Sequence, residues 1–248
     1  MDILSLRHFY ATPLGRQVRR LVAARLATLQ PPPADARVLG LGFAAPWLEA
    51  WRGQQRCVFA FMPAHQGAMR WPAEGKSGTA LVDETALPLP DGCIDLALVA
   101  HGLELAAARE RMLAELWRVL APSGHVVFIV PNRTGLWARA ERTPFGHGRP
   151  FSRGQLEDLL QEAGFTPQRF EHLLFMPPWR LRLLRGSPAT WERLGRLLFR
   201  GFSGLIMTEA VKQVRAVRRQ RQPALLIPGW QVAPAGLAPA RRSHGTGA

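Results

Sequence analysis

Cysteine is scarce in this sequence, and long apolar runs are missing from it. Its 248 residues include only two cysteines, Cys57 and Cys93. Two cysteines are too few for a disulfide framework or a thiolate metal site, so we predict neither. Each lies beside an apolar run and is predicted to be a small core residue.

No stretch approaches the ~18 uncharged apolar residues that a membrane-spanning helix needs. The first eight residues also lack a basic region followed by a long apolar region, so we expect no signal peptide. On these grounds we expect a cytoplasmic protein without a transmembrane segment.

Lysine is as scarce as cysteine, since Lys76 and Lys212 are the only two, and 30 of the 32 basic residues are therefore arginine. The formal net charge of +14 favours nucleic acid, anionic lipid or acidic ligands as partners. The alternative is the coding bias of a GC-rich genome, which the abundant Ala, Pro and Gly also suit. The arginines are spread along the chain, and this spread favours coding bias.

Two groups of arginines could nevertheless form a surface for nucleic acid or an anionic membrane, with Trp191 and Phe199 nearby. The alternative is a solvated helix face. The groups are Arg193, Arg196 and Arg200 at helical spacing, and Arg215, Arg218, Arg219 and Arg221.

The stretch from Arg37 to Pro46 has the pattern that opens a nucleotide-binding α/β unit. A short apolar run ends in the turn Gly40-Leu41-Gly42, and Trp47 then begins a short predicted helix. Glycine lets backbone N–H groups approach a ligand closely. The same pattern also occurs in ordinary strand-to-helix turns.

Helix and strand patterns alternate along the rest of the chain. Residues 1–33 are predicted to contain an N-terminal helix, capped by Thr12 and Pro13, and a proline linker. Apolar runs predict strands at 38–41, 56–61, 79–82, 94–100 and 125–130, and helical spacing predicts helices at 103–120, 152–163 and 179–202. This alternation indicates a doubly wound parallel sheet. Residues 222–248 have little pattern and are predicted to form a disordered basic tail.

Four motifs in order resemble the class I S-adenosylmethionine-dependent methyltransferases of the type 11 group. They are Val38-Leu39-Gly40-Leu41-Gly42, Leu81-Val82-Asp83-Glu84 with Leu87-Pro88-Leu89-Pro90-Asp91, the stretch Ile94 to Glu104, and Glu115 to Gly124 with Val130-Pro131-Asn132. The resemblance implies a Rossmann-like domain over residues 34–221, with a helical insertion and a seven-stranded sheet whose last strand, at 205–214, is antiparallel. It also implies S-adenosyl-L-methionine as cofactor and methyl transfer as activity.

The sequence departs from the family pattern at two places. The family usually has an acidic residue where Gly40 stands and further glycines where Ala44 and Pro46 stand. The family's acidic residue at the end of the second strand is replaced by Phe61-Met62-Pro63. The closest resemblance is to bacterial methyltransferase-like proteins that share this glycine-Phe-Ala-x-Pro variant. The departures leave a second hypothesis, an inactive binding or assembly module that could act on nucleic acid.

The resemblance assigns cofactor binding to Gly40, Gly42, Met62, Asp83 and Glu84. For Asp83, the alternative is a turn residue that caps local N–H groups. His101 ends the fourth strand beside the expected transfer site, where an imidazole could serve as general base. Its alternative is a histidine that bonds its own loop.

Residues Arg142 to Pro150 follow the fifth strand, where this family has substrate-recognition insertions. His147 and Arg149 could donate to an anion, so we predict that they bind an acidic or phosphate-bearing small-molecule acceptor. The alternative is a structured turn in which arginine stacks on an aromatic ring.

Overall fold

The computed structural model describes residues 1–52, 57–178 and 202–213. Its helices are α1 (Ile3–Ala11), α2 (Pro13–Leu26), α3 (Ala45–Leu48), α4 (Arg109–Val119) and α5 (Arg153–Glu162). Its strands are β1 (Arg37–Gly42), β2 (Cys57–Pro63), β3 (Thr79–Val82), β4 (Ile94–Ala100), β5 (Leu120–Pro131), β6 (Phe165–Leu173) and β7 (Leu205–Lys212). The predicted helix at 179–202, both arginine groups and the predicted tail lie outside the described residues, apart from Phe202.

The seven strands form one sheet in the order β3-β2-β1-β4-β5-β7-β6. Strands β1 to β5 pair in parallel, and β7 runs antiparallel to both β5 and β6. This arrangement confirms the predicted Rossmann-like sheet with its antiparallel last strand. The strand order reverses beside β1, and ligands of open α/β sheets bind outside the carboxyl ends of the strands at such a point.

The sheet has an apolar layer on each face because its central strands are apolar on both sides. In β1, Val38 belongs to the layer that includes α1, α2 and α3, whereas Leu39 and Leu41 belong to the layer that includes α4 and α5. The alternation follows from the two-residue period of a strand. The two layers fix the ends of β1 and β4, where the candidate site lies.

The N-terminal region contains two helices where the sequence predicts one. Thr12 ends α1 by donating its backbone N–H to Phe9 O, and its hydroxyl accepts from the N–H of Gly15 to begin α2. A Cβ on Gly15 would lie 2.0 Å from Phe9 O, so the tight corner between the helices requires glycine. The predicted start at Thr12 and Pro13 is confirmed for α2, whereas α1 was not predicted.

Two of the predicted helices are shorter in the structure. The helix expected over 103–120 begins only at Arg109, because residues 101–108 form turns around the end of β4. The helix expected after the glycine turn is the four-residue α3. By contrast, α5 begins within one residue of the predicted helix start at 152, with a capping box in which Ser152 and Gln155 each accept the other's backbone N–H.

Glu115 on α4 fixes the connection between β3 and β4. Its carboxylate accepts from the backbone N–H of Leu87 at 2.8 Å and from the guanidinium of Arg118 at 2.8 and 2.9 Å. The hydrogen bonds from Arg118, and to a lesser degree that from Leu87, lower the pKa of the Glu115 carboxyl below its ordinary value of 4.5.

Replacing Glu115 with glutamine should lower the free energy of unfolding by about 1–3 kcal/mol at neutral pH, because hydrogen bonds to a charged acceptor are weakened. A carboxyl whose pKa is lowered by folding stabilises the protein above its unfolded pKa, and this stabilisation is lost as the pH falls through the folded pKa. The difference between Glu115→Gln and the unsubstituted protein should therefore shrink in denaturant titrations below pH ~4. Glu110→Gln, at an exposed position of the same helix, is the control. The prediction would be contradicted if Glu115→Gln lowered the free energy of unfolding by the same amount at every pH.

Lys212 joins the end of β7 to the junction of α4 and β5. Its Nζ donates to the backbone carbonyl of Leu120 at 2.6 Å and lies 4.1 Å from the ring centroid of Trp117. Burial lowers the pKa of its ammonium group. This lysine is therefore part of the packed structure.

Across the described ranges, no helix combines the length and the apolar character needed to cross a lipid bilayer.

Candidate active site

Three hydrogen-bonded side chains lie at the carboxyl end of β4. Tyr10 Oη is 2.8 Å from His101 Nε2, and His101 Nδ1 is 3.1 Å from Glu104 Oε1. All three residues are buried, with exposed fractions of 5%, 4% and 2%. An ionised carboxylate only accepts hydrogen bonds, so a proton on Nδ1 satisfies Glu104 and leaves Nε2 to accept from the Tyr10 hydroxyl. We call these residues the Tyr10–His101–Glu104 triad.

Tyr10 contacts His101 because α1 lies over the carboxyl ends of β1 and β4. The Tyr10 ring stacks on Phe43, which follows β1, with centroids 5.3 Å apart and planes 17° apart. Burial, and secondly the charge of Glu104, raise the pKa of the Tyr10 phenol well above its ordinary value. The hydroxyl therefore stays protonated and remains a hydrogen-bond donor to His101.

His101 has a backbone conformation that few residues adopt outside turns, with φ at 50°. Its backbone carbonyl accepts from the side-chain amide of Gln66 at 2.7 Å, and the backbone carbonyl of Gln66 accepts from the N–H of Ile3 at 2.8 Å. The ring of Phe145 lies 5.2 Å from the imidazole. Tyr10, Glu104 and Phe145 thus fix the position of the ring, and Gln66 fixes the backbone of His101.

Two buried acceptors beside His101 have no hydrogen-bond donor among the described residues. They are Oε1 of Gln66 and Oε2 of Glu104, and both residues bond to His101 through their other polar atoms. A buried acceptor without a donor costs about 1–3 kcal/mol. Their location therefore marks a place where N–H or O–H groups of a ligand would bind favourably.

Both glycines of the predicted cofactor turn allow close packing around β1. Gly42 has φ of 79°, and a Cβ on it would lie 2.4 Å from Ala100 O and 3.0 Å from the nitrogen of Gly102. A Cβ on Gly40 would lie 2.4 Å from Leu48 Cδ1. Both glycines thus have a structural reason to be present, and their contact with a cofactor stays a prediction.

The other predicted cofactor residues differ in accessibility. Met62 and Glu84 are buried, whereas Asp83 is exposed at the carboxyl end of β3. The N–H and hydroxyl of Thr85 donate to Asp83 Oδ1 at 2.8 and 2.7 Å, and these bonds lower the pKa of the Asp83 carboxyl. Asp83 therefore makes the turn contacts expected of a capping residue, and its second oxygen has no donor within the described ranges.

The predicted acceptor loop lies next to the triad. The N–H of Arg149 donates to the carbonyl of Glu104 at 2.9 Å, and a Cβ on Gly148 would lie 2.5 Å from that carbonyl. His147 Nε2 donates to the carbonyl of Glu141 at 2.9 Å, as in the structured-turn alternative. Arg149 itself is exposed. Acceptor binding by His147 and Arg149 stays a prediction.

The sequence reasoning identified His101 but missed its partners. Tyr10 is the only tyrosine of the chain, and this was the one signal available for it. It lies 91 positions from His101, so only the fold brings the two together. Glu104 lies three residues after His101 within a recognised motif, yet its role depends on the turn that replaces the predicted helix start.

Comparison with known families gives a match to the methyltransferase domain model over residues 39–128. This segment begins within β1 and ends within β5, so it includes the glycine turn, Asp83, His101 and Glu104. Tyr10 and α1 lie outside it.

Similar proteins are found among curated sequences and solved structures. A demethylmenaquinone methyltransferase of Thermus thermophilus is 34% identical over 119 residues, which are 47% of this chain and 53% of that protein. One of Deinococcus radiodurans is 37% identical over 125 residues, 50% of this chain and 51% of that protein. The chain therefore spans about half the length of these relatives. The crystal structure of a SAM-dependent methyltransferase from Thermotoga maritima superposes with a TM-score of 0.60 at 18% identity, covering 85% of this chain and 96% of that one.

Proposed function

We propose that this chain is a class I S-adenosyl-L-methionine-dependent methyltransferase that transfers a methyl group from that cofactor to a small-molecule acceptor. Support comes from the match of residues 39–128 to the methyltransferase domain model and from the similarity to a methyltransferase at 34% identity. The observation that carries the proposal is the Tyr10–His101–Glu104 triad at the carboxyl end of β4. This position lies where the strand order reverses, at the edge of the sheet where such folds bind ligands.

The residues at this edge fit the cofactor. Asp83 presents an exposed carboxylate that can accept from amino or hydroxyl groups. Gln66 Oε1 and Glu104 Oε2 are buried acceptors that find no donor among the described residues, and an ammonium group supplies such donors. When bound, S-adenosyl-L-methionine provides a methyl group on a sulfonium centre, which makes the methyl group an activated electrophile. The protein must then position the acceptor and remove its proton where it has one.

We assign His101 the role of general base. Its Nε2 accepts from a hydroxyl at 2.8 Å, which is within the distance that proton transfer requires. An acceptor hydroxyl that takes the place of Tyr10 Oη would give its proton to Nε2. The Glu104 carboxylate at Nδ1 would keep the ring oriented and stabilise the imidazolium that forms.

The names of the relatives support a small-molecule acceptor, since two of them are demethylmenaquinone methyltransferases. We further propose that this acceptor carries an anionic group recognised by His147 and Arg149. Support for this comes from the loop backbone, which contacts Glu104 directly.

Titration calorimetry with S-adenosyl-L-methionine and S-adenosylhomocysteine tests the proposal. Asp83→Asn should weaken cofactor binding by about 10–100-fold, the effect of losing one or two hydrogen bonds to a charged group. Asp158→Asn, on the exposed face of α5, changes the net charge equally and should leave the affinity unchanged. If neither compound binds the unsubstituted protein at millimolar concentration, methyl transfer is excluded and the chain is a binding module. If both aspartate variants bind the cofactor with the affinity of the unsubstituted protein, Asp83 is only a turn residue.

A further inference from the structure

A groove of about 630 Å³ lies beside α1, and its floor is aromatic. Three aromatic residues line it, Tyr10, Phe43 and Trp71, and all three are largely buried. The walls come from α1, α2, the β1–α3 turn and the connection between β2 and β3. This volume falls in the range of about 300–1,000 Å³ that small-molecule sites usually have.

The rim of this groove carries two arginines that have no acidic partner in the part of the chain that the structure describes. Arg7 on α1 and Arg19 on α2 both line it, and within the described residues neither makes a salt bridge. The third rim arginine, Arg52, pairs with Glu49 at 3.1 Å. Glu74 is the remaining acidic residue of the rim. Counting the described residues alone, the groove therefore offers two guanidinium groups and one carboxylate that make no ion pair.

We propose that this groove binds a planar aromatic ligand that carries a carboxylate or phosphate group. Aromatic rings prefer an aromatic floor, and a guanidinium donates paired hydrogen bonds to either anion. The groove is distinct from the predicted site at His147 and Arg149. His147 lines another cavity, of about 570 Å³, together with His8 and Phe9 of α1.

The position of Tyr10 connects the groove to the proposed reaction. Tyr10 is one of the residues that line the groove, and its hydroxyl bonds to His101 Nε2. A ligand in the groove that displaces this hydroxyl would meet the proposed base directly. On the basis of the proposed function, a ligand bound in this groove would therefore act on the base through the Tyr10 hydroxyl.

Calorimetry without the cofactor tests the groove by itself. The probes are naphthoate, naphthyl phosphate and neutral naphthamide, titrated into the full chain. We expect either anion to bind, and Arg7→Gln and Arg19→Gln each to weaken its binding by about tenfold. Naphthamide should bind at least about tenfold more weakly than the better anion. Whichever anion binds more tightly identifies the acidic group as carboxylate or phosphate.

Arg20→Gln is the matched control, because Arg20 is an exposed arginine of α2 that does not line the groove. Unchanged binding of the anion in this variant supports the proposal that the anion binds in the groove. Equal losses in Arg7→Gln, Arg19→Gln and Arg20→Gln would show attraction to overall charge and overturn the proposal, as would equal binding of naphthamide. Thermal unfolding should be the same for all three variants. The cofactor titration is separate, so a failure of methyl transfer and a failure of the groove give different results.

Discussion

His101→Asn should reduce methyl transfer by about 10²–10⁴-fold, the usual contribution of a general base. Asparagine is chosen because it tolerates the positive φ of 50° at this position and keeps a polar side chain, but it cannot take up a proton near neutral pH. The measurement is transfer of labelled methyl groups from S-adenosyl-L-methionine to acceptors in a bacterial cell extract. Cofactor affinity should change little.

Two further variants separate a catalytic histidine from a structural one. Glu104→Gln should lower the rate less than His101→Asn and shift its pH dependence, because the carboxylate acts through the imidazole. Tyr10→Phe keeps the ring on Phe43 and removes the hydroxyl from Nε2. We expect Tyr10→Phe to keep or raise the rate. A loss in Tyr10→Phe equal to that in His101→Asn, or a His101→Asn enzyme that is only less stable, would contradict the assignment.

Gly42→Ala should destabilise the protein by about 2–5 kcal/mol. A left-handed backbone costs a residue with a Cβ about 1–2 kcal/mol, and forced overpacking adds typically 1–3 kcal/mol. Both terms apply here, since φ is 79° and the new Cβ would lie 2.4 Å from the carbonyl of Ala100. Urea unfolding without cofactor measures the effect.

Gly92→Ala is the control for this substitution. Gly92 also has a positive φ, of 62°, but its nearest contact for a Cβ is at 3.9 Å. The control should therefore be destabilised only by the cost of the left-handed backbone, about 1–2 kcal/mol. Equal losses at the two positions would mean that the contact between Gly42 and Ala100 relaxes easily. If Gly42→Ala keeps full stability but loses cofactor affinity, the glycine serves the ligand and not the packing.

Much of the sheet could be predicted because each central strand carries its own signal. The apolar run from Ile94 to Ala100 is buried on both faces, and such runs mark parallel strands. The glycine turn and the strand end at His101 were also found, because both follow directly from these runs.

The triad could not be predicted, because it depends on how separate elements meet. α1 has nine residues, and its place over β4 follows from packing of Phe9 and Tyr10 against distant rings. The roles of Glu104 and Gln66 arise from turns whose shape local propensity does not fix. The groove has the same origin, since Arg7 and Arg19 lie on different helices that only the corner at Gly15 brings to one rim.

The bonded and buried Lys212 has a practical consequence for chemical labelling. The chain has two lysines, and Lys212 is buried with its nitrogen bonded to Leu120. Lys76 is exposed, in the connection between β2 and β3 that also supplies Trp71 and Glu74 to the groove. Amine-reactive dyes would therefore find one accessible side-chain amine, two residues from the groove rim. A fluorophore coupled there would sense ligand entry without any engineered cysteine.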